Sequence, residues 1–116
     1  MSYEIKQDGK FKFIEEGEGE PLLLLHGLFG ALSNFQFLIE HFRKTNKVIV
    51  PLLPLLELDL LHTSVGGLQK FVHRFIEHRN YNNINLLGNS LGGHVALVHV
   101  LKNPERIKSI ILTGSS

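Results

Sequence analysis

Short apolar runs that alternate with amphipathic segments constrain the fold of this chain more than any other feature. A strand that is apolar without alternation is buried on both faces, as in a parallel sheet covered by helices on each side. Strands separated by helical patterns therefore predict an α/β fold with a mostly parallel sheet and flanking helices. The predicted core strands are Leu22–Leu25, Val48–Val50, Ile84–Leu87 and Ser109–Thr113.

The segments around these strands predict the remaining elements. Residues 3–6 and 10–14 alternate on either side of Asp8-Gly9, which predicts a β-hairpin at the start of the chain. Apolar residues at helical spacing predict the helices. One is capped by Ser33 and presents Phe35, Leu38, Ile39 and Phe42; one presents Leu68, Phe71, Val72, Phe75 and Ile76; one spans Ser90–Lys102.

Composition narrows the class of protein. The 116 residues are 43% hydrophobic and 20% charged, which is typical of one globular domain. The net charge of +1, with no basic stripe, argues against nucleic acid as a partner. The chain has no cysteine, begins without a signal-peptide pattern and has no apolar run long enough to span a bilayer. We therefore expect a cytoplasmic protein that is not stably inserted in a membrane.

The sequence Gly88-Asn89-Ser90-Leu91-Gly92 lies where a predicted strand meets a predicted helix. It matches G-x-S-x-G, in which a serine on a strained turn projects its hydroxyl above the sheet. An ordinary turn with an N-capping serine fits the same five residues. A nucleotide site is disfavoured, because the dinucleotide fingerprint requires glycine at the position of Ser90 and the lysine of a P-loop is missing.

A second motif, His26-Gly27-Leu28-Phe29-Gly30, directly follows the first core strand. With both motifs in this order, the chain resembles the α/β-hydrolase superfamily along essentially its whole length. The resemblance implies Ser90 as the nucleophile and the N–H groups of Leu28 and Leu91 as the oxyanion hole. Four further residues would shape the two loops without reacting: His26, Gly27, Gly88 and Gly92.

The resemblance also implies a chemistry. A serine hydrolase of this kind has no cofactor and cleaves a carboxylic ester or related carbonyl compound through an acyl-enzyme. Serine at position 90, where epoxide hydrolases and haloalkane dehalogenases have aspartate, argues against those activities. Hydrolysis of a carbon–carbon bond remains an alternative, because Gly-Asn-Ser-Leu-Gly-Gly also resembles that branch of the superfamily. A non-catalytic protein that binds a small molecule or a partner is the other alternative.

A catalytic serine needs a histidine base and an orienting carboxylate, and both follow the serine in this superfamily. After Ser90 the chain offers only His94, His99 and Glu105. Both histidines lie on the predicted helix that leads away from the catalytic edge, so we expect them in packing or surface positions. We therefore expect residues 1–116 to be the N-terminal part of one hydrolase domain, truncated after the strand that follows the nucleophile helix, and inactive alone.

Two apolar segments have no predicted cover. Residues 51–61 are rich in leucine, and we expect them to pack against the rest of the hydrolase. The alternative is an apolar lip over the hydrocarbon part of a small-molecule substrate. Residues 109–113 would form an edge strand with no internal proline or lysine, which predicts self-association through that edge.

Overall fold

A computed structural model of the chain describes residues 3–26, 35–54 and 65–114. These residues form a six-stranded sheet with three α-helices and one short 3-10 helix. The strands are β1 (Lys6–Asp8), β2 (Phe11–Glu16), β3 (Glu20–Leu25), β4 (Asn46–Pro51), β5 (Ile84–Asn89) and β6 (Ile107–Thr113). The α-helices are α1 (Gln36–Phe42), α2 (Val65–Arg79) and α3 (Leu91–Lys102), and the 3-10 helix is Pro104–Arg106.

The strand order is β1-β2-β4-β3-β5-β6. The neighbours from β4 to β6 are parallel, whereas the hairpin of β1 and β2 joins β4 in the antiparallel direction. The structure thus confirms the predicted α/β fold with a mostly parallel sheet. The hairpin turn consists of Gly9 and Lys10, one residue later than predicted, and Gly9 has a φ of 62° that glycine adopts without steric cost.

Both faces of the sheet are covered, which explains the uninterrupted apolar character of its central strands. Leu23 and Leu25 of β3 belong to the cluster formed with α2 and α3, and Leu22 and Leu24 belong to the cluster formed with α1. Side chains that alternate along a strand point to opposite faces, so one apolar strand serves both clusters. The predicted stripe of α2 is confirmed, since Leu68, Val72, Phe75 and Ile76 are buried and Phe71 is partly buried.

Helix α1 packs Phe35 and Ile39 against the sheet, as its spacing predicts. It begins at Gln36 with Phe35 at the N-cap position, and no side chain caps it. The predicted cap, Ser33, lies outside the described residues. The helix predicted over residues 90–102 is confirmed, with Ser90 at its N-cap position.

The leucine-rich segment is described only as far as Pro54, and residues 55–61 lie outside the description. Within the described part, Leu53 is buried and packs in the core with α2. Across the described chain, none of the helices combines the length and the apolarity needed to cross a membrane.

Candidate active site

Ser90 lies on the turn that joins β5 to α3. Its φ of 56° and ψ of −118° are unusual for a residue with a side chain. Such a conformation costs on the order of 1–3 kcal/mol and persists only where the surrounding structure holds it. The Ser90 side chain makes no capping hydrogen bond to α3. Ser90 is therefore not an ordinary N-capping serine, and its hydroxyl has no capping role.

Backbone hydrogen bonds hold the turn at Ser90. The Ser90 N–H donates to the carbonyl oxygen of Thr113 at 3.0 Å, so the end of β6 supports the turn from one side. The Ser90 carbonyl oxygen accepts from the N–H groups of Gly93 at 2.9 Å and His94 at 3.3 Å. Both backbone polar groups of Ser90 are thus satisfied, and the strained conformation is fixed between a strand and a helix.

Gly88 and Gly92 permit the close contact of α3 with the sheet. A Cβ atom at position 88 would lie 2.4 Å from the carbonyl oxygen of Gly92. A Cβ atom at position 92 would lie 2.1 Å from the carbonyl oxygen of Leu25 in β3. Since backbone atoms cannot move aside as a flexible side chain can, both positions require glycine for a steric reason.

Leu91 is the first residue of α3, so its N–H lies in the first turn beside Ser90. Within the described residues, no backbone carbonyl accepts a hydrogen bond from the Leu91 N–H. The N–H groups of a helix's first turn carry partial positive charge and attract anionic oxygen. The other expected oxyanion donor, Leu28, lies outside the described residues, as does Gly27.

His26 follows the last residue of β3 and is buried. Its Nε2 atom accepts a hydrogen bond from the Leu53 N–H at 3.2 Å. The side chain thereby ties the end of β3 to the segment after β4, which is a structural role.

A cleft of about 170 Å³ opens beside Ser90. Apart from Ser90, it is formed by residues of α3 and the end of β6: Gly93, His94, Leu97, Leu112 and Thr113. Two leucines contribute much of its wall, so the cleft offers space for an apolar group next to the serine hydroxyl. Among the residues that the structure describes, no three His, Asp or Glu side chains are arranged to hold a metal ion.

The histidines after Ser90 lie where the sequence predicts. His99 is buried and its Nδ1 atom accepts from the amide of Gln69 at 3.0 Å, while His94 is exposed and lines the cleft. Burial, together with the nearby His73, lowers the pKa of His99 to about 4. Of the earlier histidines, His73 and His78 face carboxylates of Glu77 and Asp8, and His62 lies outside the described residues.

Sequence reasoning missed the contact that joins the turn to β6. The hydroxyl of Thr113 donates to the side-chain oxygen of Asn89 at 3.2 Å. Gly114 follows with a φ of 55°, and a Cβ atom there would lie 2.5 Å from the same oxygen. The sequence offered one signal for this contact, the position of Asn89 inside the serine motif. Its partner Thr113 lies on another strand, so no local pattern indicates the hydrogen bond.

The fold and this turn define a class of protein, and comparison with known proteins agrees with it. A family model described as the alpha/beta hydrolase fold matches residues 61–116. The crystal structure of MGS-MChE2, an alpha/beta hydrolase enzyme from the metagenome of lagoon sediments of Mar Chica, Morocco, superposes with a TM-score of 0.91. Its sequence is 47% identical, and the match covers 97% of this chain and 52% of that one. The fold, the family model and this structural similarity together support the assignment of this chain to the α/β-hydrolase superfamily.

Curated relatives within the superfamily are more distant and much longer. The chain is 30% identical over 97 residues to the sn-1-specific diacylglycerol lipase ABHD11 of Xenopus laevis. This alignment covers 80% of this chain and 31% of the lipase. It is 27% identical over 101 residues to Ethanol acetyltransferase 1 of Wickerhamomyces ciferrii, covering 84% of this chain and 26% of that enzyme. The chain thus spans about half the length of MGS-MChE2 and less than a third of the length of these two curated relatives.

Proposed function

We propose that this chain carries the nucleophile and part of the oxyanion hole of a serine hydrolase that acts on carboxylic esters. The observation that carries the proposal is the backbone of Ser90, which combines a strained conformation at a strand-to-helix turn with a hydroxyl that caps nothing. A strained residue that the neighbouring elements hold in place is characteristic of functional sites.

In the proposed reaction, the hydroxyl oxygen of Ser90 attacks the ester carbonyl carbon, and its proton passes to a general base. The carbonyl oxygen becomes an oxyanion, which accepts hydrogen bonds from the N–H groups of Leu91 and Leu28. The tetrahedral intermediate then collapses to an acyl-enzyme, and the alcohol leaves with the proton from the base. Water, deprotonated by the same base, releases the acid and restores Ser90.

We propose that the general base and the carboxylate that orients it lie in polypeptide outside these 116 residues. His26 and His99 are already hydrogen-bonded in buried positions, and His73 and His78 face carboxylates of their own. The chain covers 52% of MGS-MChE2, so a hydrolase of that size has room for another segment. We propose that a histidine and a carboxylate of such a segment complete the site at Ser90.

The substrate proposed here has an apolar portion. The cleft beside Ser90 has walls formed by Leu97 and Leu112, which suit a hydrocarbon group better than a charged one. The lipase and acetyltransferase relatives both carry names that denote acyl chemistry. The acetyltransferase also favours a second candidate, in which an alcohol replaces water as the acceptor of the acyl group.

A chimera tests the proposal directly. Residues of this chain replace the matching part of MGS-MChE2, with which they share 47% identity, and hydrolysis of p-nitrophenyl acetate and butyrate is followed. We expect turnover that Ser90→Ala lowers by about 10⁴-fold or more, because no other group supplies the nucleophile. The matched control, Ser109→Ala, removes a serine of β6 and is expected to leave turnover close to that of the parent chimera.

Two results distinguish the alternatives. A folded chimera whose turnover is unchanged by Ser90→Ala would contradict the proposed nucleophile. Reaction in mixtures of water and ethanol, analysed for free acid and ethyl ester, separates hydrolysis from acyl transfer. A product that is mainly ethyl ester at low ethanol concentration would favour the second candidate.

A further inference from the structure

Two hydrogen bonds between a hydroxyl and an asparagine side chain join β5 to β6. The hydroxyl of Ser109 donates to the side-chain oxygen of Asn85 at 2.6 Å. The hydroxyl of Thr113 donates to the side-chain oxygen of Asn89 at 3.2 Å. The members of each pair lie opposite each other in the strand register, four residues apart along both strands, so both hydrogen bonds lie on one face of the sheet. The first lies near the start of β5, whereas the second adjoins the turn at Ser90.

Thr113 binds this turn at two points. Its carbonyl oxygen accepts from the Ser90 N–H at 3.0 Å, and its hydroxyl donates to Asn89, the residue directly before Ser90. The first turn of α3 donates to the Ser90 carbonyl oxygen. Asn89 shares its face of the sheet with Leu87, which packs in the cluster with α1, whereas α3 packs in the cluster on the other face. The turn is therefore held from both faces of the sheet.

Gly114 leaves room for the contact between Asn89 and Thr113. It has a φ of 55°, a conformation that glycine adopts without steric cost. A Cβ atom at position 114 would lie 2.5 Å from the side-chain oxygen of Asn89, and the two nearest atoms both belong to Asn89. The amide of Asn89 thus occupies the space that a larger residue at position 114 would need. The hydroxyl at position 113 and the glycine at position 114 accommodate the same oxygen.

We propose that Asn89 and Thr113 are positioning residues for Ser90, an inference that rests on the proposed function of Ser90 as the nucleophile. A residue keeps a strained conformation only while its neighbours hold it. Without the hydrogen bond between Asn89 and Thr113, the turn relaxes and the Ser90 hydroxyl loses its alignment with the substrate carbonyl. Attack depends steeply on that alignment. Loss of the hydrogen bond therefore lowers the rate constant of attack by Ser90.

Asn89 separates positioning from contact with the substrate. Thr113 lines the cleft beside Ser90, whereas Asn89 is not among the described residues that line it. A change at Asn89 that slows attack therefore acts through the turn. If the two side chains act through one hydrogen bond, variants at either position have the same effect.

Fluorophosphonate labelling of the chimera with MGS-MChE2 tests the proposal, and the second-order rate constant of labelling at Ser90 is measured. Thr113→Val keeps the shape of the side chain without its hydroxyl, and we expect it to lower the rate constant about fivefold. We expect a similar loss in Asn89→Ala and no larger loss in the double variant, because all three remove one hydrogen bond. Thr113→Ser retains the hydroxyl and is expected to label within about twofold of the chimera.

Ser109→Ala is the matched control, because it removes the equivalent hydrogen bond between the same two strands, about 13 Å from the turn. If the variants merely weakened the pairing of β5 with β6, Ser109→Ala would slow labelling as much as Thr113→Val does. We expect it instead to label as fast as the chimera. Thermal unfolding verifies that each variant is folded at the labelling temperature. If Thr113→Val does not fold, the comparison of Asn89→Ala with Ser109→Ala provides the test.

Four results would overturn the positioning role while Ser90 remains the labelled residue. They are an unchanged rate constant in the folded variants at positions 89 and 113, an equal loss in Thr113→Val and Thr113→Ser, an equal loss in Ser109→Ala, and losses that multiply in the double variant. An adduct of the chimera at a residue other than Ser90 is a different failure. It would contradict the proposed nucleophile, and the positioning role with it.

Discussion

At the scale of single residues, Ser90 combines a strained backbone conformation with the hydroxyl group of the proposed nucleophile. Its positive φ would cost glycine little, but glycine has no hydroxyl. The Thr113 carbonyl and the first turn of α3 hold the residue in this conformation. The position therefore strains any residue that carries a Cβ atom, and glycine is the exception.

The first prediction compares two variants at this position. We expect Ser90→Gly to be more stable than Ser90→Ala by about 1 kcal/mol, because glycine relieves the left-handed backbone and alanine does not. Urea unfolding of the two variants measures the difference. Equal stability, or a less stable glycine variant, would show that the Ser90 backbone is not strained in solution.

His99 gives a second prediction at the residue scale. Burial lowers its pKa to about 4, whereas a histidine in the unfolded chain has a pKa of about 6.5. Between these pH values the unfolded chain binds more protons than the folded one, so stability is retained above pH 6.5 and falls as the pH drops. We expect a loss of about 2 kcal/mol between pH 7 and pH 4.5 in urea unfolding.

Two variants control this experiment. His99→Gln removes the titrating group, so its stability should depend less steeply on pH over this window. His94→Gln removes an exposed histidine of the same helix and should retain the pH dependence of the unmodified chain. If His99→Gln retains the full pH dependence, the loss of stability does not come from His99.

At the scale of elements, α3 lies so close to β3 and β5 that side chains are excluded between them. We expect Gly92→Ala to destabilise the chain by about 2–4 kcal/mol, since its Cβ would lie 2.1 Å from the Leu25 carbonyl oxygen. Gly93→Ala is the matched control in the same helix. The Cβ atom of alanine at position 93 would come no closer than 3.3 Å to another atom, the Gly88 carbonyl oxygen. Thermal unfolding measures both, and an equal loss in both would contradict the assigned contact.

The elements also show how far the sequence alone leads. Local patterns predict the strands and α2, because the spacing of apolar residues depends on whether an element is buried on one face or on two. The turn at Gly9-Lys10 lies one residue later than the predicted turn at Asp8-Gly9. Gly9 belongs to both turns, and a two-residue hairpin turn accepts glycine at its first or its second position, so the sequence does not distinguish them.

The candidate active site also has one part that the sequence predicts and one part that it does not. The motif around Ser90 is local and predicts the position of the turn. The hydrogen bonds from Ser90 and Thr113 join residues far apart in sequence, and no local pattern records them. The tie between His26 and Leu53 is equally long-range and was likewise missed.

At the scale of the whole molecule, the turn at Ser90 and strand β6 lie side by side in the described residues. Leu112 contributes to both, since it lines the cleft at Ser90 and is exposed on β6. Any polypeptide that packs against β6 therefore also changes the surroundings of the proposed nucleophile.

The fourth prediction concerns activity of the chain alone. We expect hydrolysis of p-nitrophenyl acetate by the 116 residues to equal that of their Ser90→Ala variant, because the proposed base belongs to further polypeptide. Hydrolysis that depends on Ser90 would instead show that a histidine of this chain serves as the base. His94→Gln would then identify it if His94, which lines the same cleft, is that residue.

The central claim is that Ser90 is a nucleophile, and covalent labelling tests it most directly. The chimera with MGS-MChE2 is treated with a fluorophosphonate, and the adduct is located by peptide mass spectrometry. We expect one adduct per chain at Ser90, absent from Ser90→Ala and retained in Ser109→Ala. An adduct on another residue, or equal labelling of the Ser90→Ala chimera, would contradict the claim.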